Sequence, residues 1–205
     1  MKSLPEHFSK NQWHIGPVRL GIAREMVATY HYAKHGSTWG VYTFGLFLVG
    51  NPQVWGITWW LPAPKLSVDK YNPGGYKTTL ILSRMVIHPD VPSNAASFLL
   101  SASVKEIAKE GRYTYLMTYA DTWKGHTGAV YKAANWDYEG MSKPTPIWLD
   151  QDGILVSAYR SGRIQSRQAM LSKGYRLLGC YPKHIYTLQL KAKPQLLQLE
   201  LFPAA

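Results

Sequence analysis

The chain has 205 residues, 46% of them hydrophobic and 17% charged, which suits one α/β core able to fold alone. Its single cysteine, Cys180, excludes a disulfide framework and a cysteine-based zinc site, and no apolar run forms a signal core or a membrane span, so a reduced, cytoplasmic setting is expected. Against 12 acidic residues stand 23 Lys and Arg, a net charge of +11, which favours a polyanionic partner, nucleic acid being the commonest, over a surplus that only solvates the surface.

Residues 1–17 read as polar and irregular, with Trp13 tucked onto the body. From Val18 to Ala33, apolar residues at Leu20, Ala23, Val27 and Tyr30 have helical spacing. The helix ends in Tyr30-His31-Tyr32-Ala33-Lys34-His35, with Gly36 as the stop. Two strands are predicted at Trp39–Val49 and Val54–Leu61, around the turn Asn51-Pro52-Gln53. Pro62 to Tyr76 is a long loop rich in Pro, Gly and Lys, of the kind that is either disordered or functional. Leu80 to Ile87 is a compact β-branched apolar run stopped by His88-Pro89, hence a strand. A turn with two prolines leads into Ala95–Lys109, whose apolar spacing is helical, and Gly111 ends it. Tyr113 to Tyr119 alternates as a second strand and delivers Asp121 at its end. Gly128–Ala134 reads as a short helix, and Trp136–Glu139 as an extended piece. Strand, turn, helix and parallel strand make a βαβ unit, with a candidate site where the strands end.

After Gly140 the composition changes. Ile147–Val156 is a hairpin about Asp150-Gln151-Asp152-Gly153. Ser166 caps a short helix that ends at Gly174, and Tyr175–Leu190 is a long β segment broken at Cys180-Tyr181-Pro182. Between Met141 and Lys193 there are nine Lys and Arg against two Asp, so seven of the eleven net charges lie there. Arg160, Arg163, Arg167, Lys173 and Arg176, interleaved with Ser and Gln, suit phosphate binding and base-edge contacts; a basic solvated loop is the alternative. The expected organisation is a catalytic core over 1–140, a basic extension completing it over 141–190, and a flexible tail over 191–205.

The strings SRMVIHPDVPSNAASFLL (83–100), TYADTWKGHTGAVYKAANWDYEG (118–140) and SKGYRLLG (172–179) together resemble the phage Mom proteins, a family of DNA-modification enzymes related to the GNAT acyltransferases. The resemblance implies a GNAT-like mixed, largely antiparallel sheet flanked by helices. It also implies a phage-encoded enzyme in a bacterial host, transferring a carbamoylmethyl group to N6 of adenine in double-stranded DNA against restriction. It marks Asp121, Arg84, His31, Tyr32 and Tyr131 as catalytic candidates. In the tail, Gln198, Leu199, Leu201 and Phe202 resemble the pentapeptide that docks on the bacterial sliding clamp, with packing of the tail on its own domain as the alternative.

Modifying an exocyclic amine needs an extruded base, a proton acceptor and an aligned donor. Asp121 at a strand end suits the acceptor, and His31 a base or ligand. Tyr131 suits a donor to the leaving group, and Arg84 suits orienting Asp121 or binding an anionic donor. On residue type alone the bland readings stay open: His31 as a packing histidine, Tyr131 as core, and Arg84 with Asp121 as a structural buried pair. The turn Pro89–Ala96 departs from the glycine-rich GNAT loop that grips coenzyme A, having two prolines, no glycine and Asp90. Only the amides of Ser93, Asn94 and Ala95 remain to hold a cofactor there. The donor is left open between coenzyme A, an activated glycyl species and a metal-assisted route, and function between DNA modification, coenzyme A-dependent N-acyl transfer to a protein or small amine, and a non-catalytic DNA- and clamp-binding adaptor.

Overall fold

The computed structural model describes residues 4–160 and 163–191. The chain opens with β1 (Trp13–Pro17), α1 (Leu20–Tyr30), β2 (Tyr42–Leu48) and β3 (Val54–Pro62). A one-turn helix α2 (Lys65–Val68) precedes β4 (Thr79–Ile87), α3 (Ala95–Glu110) and β5 (Tyr115–Asp121). Then come α4 (Ala129–Ala133), β6 (Asp137–Met141), β7 (Thr145–Leu149) and β8 (Leu155–Val156). The last elements described are β9 (Tyr159–Arg160), β10 (Arg163–Ile164), α5 (Arg167–Leu171), β11 (Arg176–Tyr181) and β12 (Lys183–Gln189).

Seven strands form the main sheet in the spatial order β1-β2-β3-β4-β5-β12-β6. Among the described residues β4 and β5 are its one parallel pair, joined through α3; the other pairs are antiparallel. The adjacent Trp59 and Trp60, each 0% exposed, show how strand alternation serves both faces. Trp59 packs with Ile57 and Val86 under Ala23, Met26 and Val27 of α1. Trp60 packs with Leu80, Leu82 and Leu116 under Leu100 and Ile107 of α3. Burial of each such side chain contributes about 1.5–3 kcal/mol, so the two helices clamp the sheet from opposite sides.

Two irregularities in β4 open the sheet near its centre. Against β3, Arg84 faces Trp59 while Leu82 faces Trp60, leaving Ser83 as an extra residue; such a bulge bends its strand. Against β5, parallel pairing runs only from Thr79–Tyr115 to Leu82–Thr118, although both strands continue. At the parting point Thr118 Oγ1 donates to the Leu82 carbonyl at 3.2 Å.

The structure departs from the sequence-based expectations at both ends. The stretch expected to be irregular holds β1, an edge strand paired along its length with β2, and Trp13 within it is buried. Pro17 is tolerated there because an edge strand can spare a donor. The first helix is shorter than Val18–Ala33: Val18 N–H donates to the Thr43 carbonyl at 3.0 Å, and His31 is already extended. The Pro62–Tyr76 loop contains α2, seated by buried Val68 against Ala63 and Met117. The break expected near Cys180-Tyr181-Pro182 falls at Pro182, and its two halves enter different sheets. β11 joins a three-stranded sheet ordered β11-β7-β8, while β12 enters the main one. The Asp150 turn and the Ser166 cap form as expected, with Asp150 Oδ1 accepting from Ile154 N–H at 2.8 Å and Ser166 Oγ from Ala169 N–H at 3.1 Å.

Candidate active site

Where β4 and β5 part, a cavity of about 440 Å3 opens between them. Leu82, Ser83, Arg84 and Met85 line it from β4, and Tyr119 and Ala120 from β5. His31 and Tyr32, just beyond α1, line it on one side, and Ala96 of α3 with Gly128, Val130 and Tyr131 at α4 on the other. Residues just beyond α1 and from α3, helices that cover opposite faces of the sheet, thus meet at one cavity.

Tyr32 stands at the centre of its polar side. Its hydroxyl donates to Asp121 Oδ2, and its ring is boxed by His31 at 4.2 Å, Trp123 at 5.6 Å and His126 at 5.5 Å between centroids. Lys124 Nζ lies 5.6 Å from the same ring. Asp121 does not itself line the cavity; it ends β5 at 8% exposure, behind Tyr32. Its other oxygen, Oδ1, forms an ion pair with Lys183 Nζ at 2.8 Å. Burial pushes the Asp121 carboxyl up, but the Lys183 charge, the Tyr32 hydrogen bond and the nearby His126 outweigh it, and the net direction is down. Burial and the adjoining carboxylate drive the Tyr32 phenol in the opposite direction, far above its ordinary range. At neutral pH the pair is therefore a phenol donating to a carboxylate.

His31 Nδ1 accepts the Ala33 N–H at 3.0 Å, so the neutral ring carries its proton on Nε2. Burial first, then the Arg84 charge, lower its pKa to about 4. Arg84 donates from Nε to the His35 carbonyl at 3.1 Å and from Nη1 to that of Ser83 at 2.7 Å. It is thus held by backbone. Its pairing with Asp121, which the residue types allow, does not form because Lys183 occupies that carboxylate. Tyr131 is buried against Tyr186 and Trp136, with ring centroids at 5.3 and 5.8 Å, and burial pushes its phenol up. α4 reaches the cavity through Gly128, whose φ of +76° and contact with the Tyr186 ring leave no room for a side chain.

Four of the five catalytic candidates, His31, Tyr32, Arg84 and Tyr131, thus line one cavity, with Asp121 directly behind. The turn candidates fall elsewhere: Ser93 and Asn94 are exposed and Ala95 is buried, while Ala96 reaches the cavity. Asn94 lines a separate groove with Ser97, Ser101, Lys10 and Lys105. Arg163, Arg167, Lys173 and Arg176 are exposed, and Lys173 donates to Gln165 Oε1. The side chain of Arg160 and the tail residues Gln198, Leu199, Leu201 and Phe202 lie outside the described residues. Among the described residues no group of three or more His, Cys, Asp or Glu is placed to hold a metal ion, and no helix is long and apolar enough to cross a membrane. Sequence reasoning missed Lys183 and the aromatic wall of Trp123. A lysine opening an apolar strand was the visible signal for the first; its partner across the sheet was not visible.

Among the described residues, a mixed sheet whose one parallel pair splays around a cavity is the arrangement of the GNAT-like fold. Solved structures agree on the fold. A ribosomal-protein-S5-alanine acetyltransferase from Vibrio fischeri superposes with a TM-score of 0.53 at 8% identity, over 91% of this chain and 98% of that one. A GNAT family acetyltransferase from Elizabethkingia anophelis with acetyl-CoA bound gives 0.51 at 14% identity, over 88% and 100%. Within that class the chain belongs to the Mom protein family, whose model matches residues 12–188. It is similar to the methylcarbamoylase Mom of Escherichia phage Mu, 27% identical over 163 residues that cover 76% of this chain and 66% of that protein's length.

Proposed function

We propose that this protein is a phage-type DNA-modification enzyme that transfers a carbamoylmethyl group to N6 of adenine in DNA and so shields it from restriction. The observation that carries the reading is the convergence, in a Mom-family chain, of His31, Tyr32, Arg84 and Tyr131 on one cavity with Asp121 behind them. The adenine amine is a poor nucleophile because its lone pair is shared with the ring, so it must lose a proton as the new bond to nitrogen forms. Tyr32 is placed to take that proton on Oη while passing its own to Asp121 Oδ2. His31 Nε2–H and the Tyr131 hydroxyl are donors for the leaving group, which departs with its bonding pair, and Arg84 offers charge to an anionic part of the donor.

In this reading residues 1–140 act as the catalytic core, and Arg160, Arg163, Arg167, Lys173 and Arg176 of the 141–190 extension hold the duplex phosphates. The donor in this step carries the carbamoylmethyl group with its leaving group on the methylene carbon, and the two prolines of the Pro89–Ala96 turn, where coenzyme A binding needs amides, speak against coenzyme A. The tail segment Gln198–Phe202 docks on a bacterial sliding clamp, which co-purification of the clamp with the full chain, and its loss from Phe202→Ala, checks. Nucleoside mass spectrometry on plasmid DNA from bacteria expressing the chain tests the main claim. The expected result is a carbamoylmethyl-adenine nucleoside, absent with Asp121→Ala. An unmodified digest from folded protein, with acetyl transfer from acetyl-CoA to an amine, would establish the acyltransferase alternative instead.

A further inference from the structure

We propose that Lys183 is a positioning residue of this site, acting through Asp121 to orient the Tyr32 hydroxyl toward the incoming amine. The inference rests on the transferase reading of the cavity and adds a residue from β12. Lys183 and Asp121 are direct cross-strand partners in the β12–β5 ladder. Their side chains meet at 2.8 Å on Oδ1, which leaves Oδ2 for the Tyr32 hydroxyl. The result is a line, ammonium to carboxylate to phenol, whose last member lines the cavity.

The backbone of Lys183 is fixed with unusual care. Its N–H donates to Ser142 Oγ and its carbonyl accepts from Ser142 N–H, both at 2.9 Å. The preceding Pro182 carbonyl accepts from Thr122 Oγ1 at 2.6 Å. Thr122 follows Asp121 directly, so this bond ties the residues next to the ion pair across the two strands. The pairs Lys65–Asp69 and Lys109–Glu106, by contrast, join residues four and three positions apart through lysines more exposed than Lys183, where an ion pair contributes little.

No other group near Asp121 can replace the lysine. Arg84 is bound to the His35 and Ser83 carbonyls. His31 is held neutral with Nδ1 engaged, and His126 meets the Tyr32 ring by its edge. Without Lys183, burial of Asp121 is opposed mainly by the Tyr32 hydrogen bond and the nearby His126, so the carboxyl shifts upward and holds the Tyr32 hydroxyl less firmly.

The test compares the full-length wild-type protein with Lys183→Met and Lys183→Arg. The Asp121 carboxyl is titrated by 13C NMR, its signal assigned by its loss in Asp121→Asn, and modified adenine is measured in co-expressed plasmid. The methionine variant is expected to titrate about one pH unit or more above wild type, with modified adenine down at least about tenfold. The arginine variant, which keeps the charge, is expected to retain the low titration and most of the modification. Lys183→Gln, with a polar end in the same space, repeats the test where the methionine variant does not fold. An unchanged Asp121 titration, or wild-type modification in the neutral variants, overturns the proposal. Absence of modified adenine in wild type counts against the DNA reading, while the titration still decides whether Lys183 governs the carboxylate.

Discussion

Tyr32 and His31 are sequence neighbours with opposite electrostatic fates. Burial lifts the phenol and depresses the imidazole, because in each case it opposes the charged form. The His31 pKa in the folded chain is about 4, against 6.5 ordinarily. The unfolded chain therefore binds more protons between these values, and stability falls as pH is lowered through that window. Urea denaturation at a series of pH values is expected to show this slope, and His31→Gln to flatten it. Tyr32→Phe is expected to leave the fold intact, since only the hydroxyl is lost, yet abolish adenine modification in plasmid digests. His31, Tyr32, Arg84, Asp121 and Tyr131 were legible in the sequence through the family resemblance. Lys183 was not, because its partner is set by strand register 62 positions away. Of the turn, Ala96 lines the cavity, whereas Ser93, Asn94 and Ala95 are not among its lining residues.

At the scale of elements, the segment that carries His31 and Tyr32 is held by tight packing rather than by regular structure. Gly36 and Gly40 lie against the buried Trp59 indole, where an added Cβ would stand 2.5 Å from Cζ3 and 2.6 Å from Nε1. The indole N–H donates to the Trp39 carbonyl at 3.1 Å, so one tryptophan of β3 anchors the approach to the site. Gly36→Ala is expected to cost about 1–3 kcal/mol by overpacking, measured as a lower urea midpoint. It is also expected to reduce modification beyond the loss of folded protein, because Tyr32 shifts with the segment. Strands β3, β4 and β5 were legible because their apolar runs are long and bounded by turn residues. β1 was missed, since its five residues include Gly16 and Pro17 and gain strand form only from pairing with β2. The bulge at Ser83 had no signature in the sequence, although it turns Arg84 toward the cavity.

For the molecule as a whole, topology was legible only in part. The run order of apolar segments was enough for the mixed sheet, while the basic surplus is the ground for expecting a polyanionic partner. What could not be read is that residues on either side of Pro182 serve two sheets, because a local pattern does not say which edge a strand will meet. The exposed Arg163, Arg167 and Arg176 lie in the part of the chain that carries most of the net charge. Replacing all three by Ala is expected to weaken duplex binding at low salt. The slope of log affinity against log salt should flatten by about 0.9 for each phosphate contact removed, as fluorescence anisotropy at several salt concentrations would show.

The place of β12 also has a meaning in time. This strand lies inside the main sheet, between β5 and β6, yet it is translated after every other strand of that sheet. While the ribosome is still making the chain, β5 and β6 present unpaired edges, and the cation opposite Asp121 has not yet emerged. Fragments released early by stalled synthesis or proteolysis lack both the keystone strand and Lys183. Incomplete forms of the chain thus lack, together, the strand that closes the sheet and the cation beside Asp121, because both arrive in the same late segment.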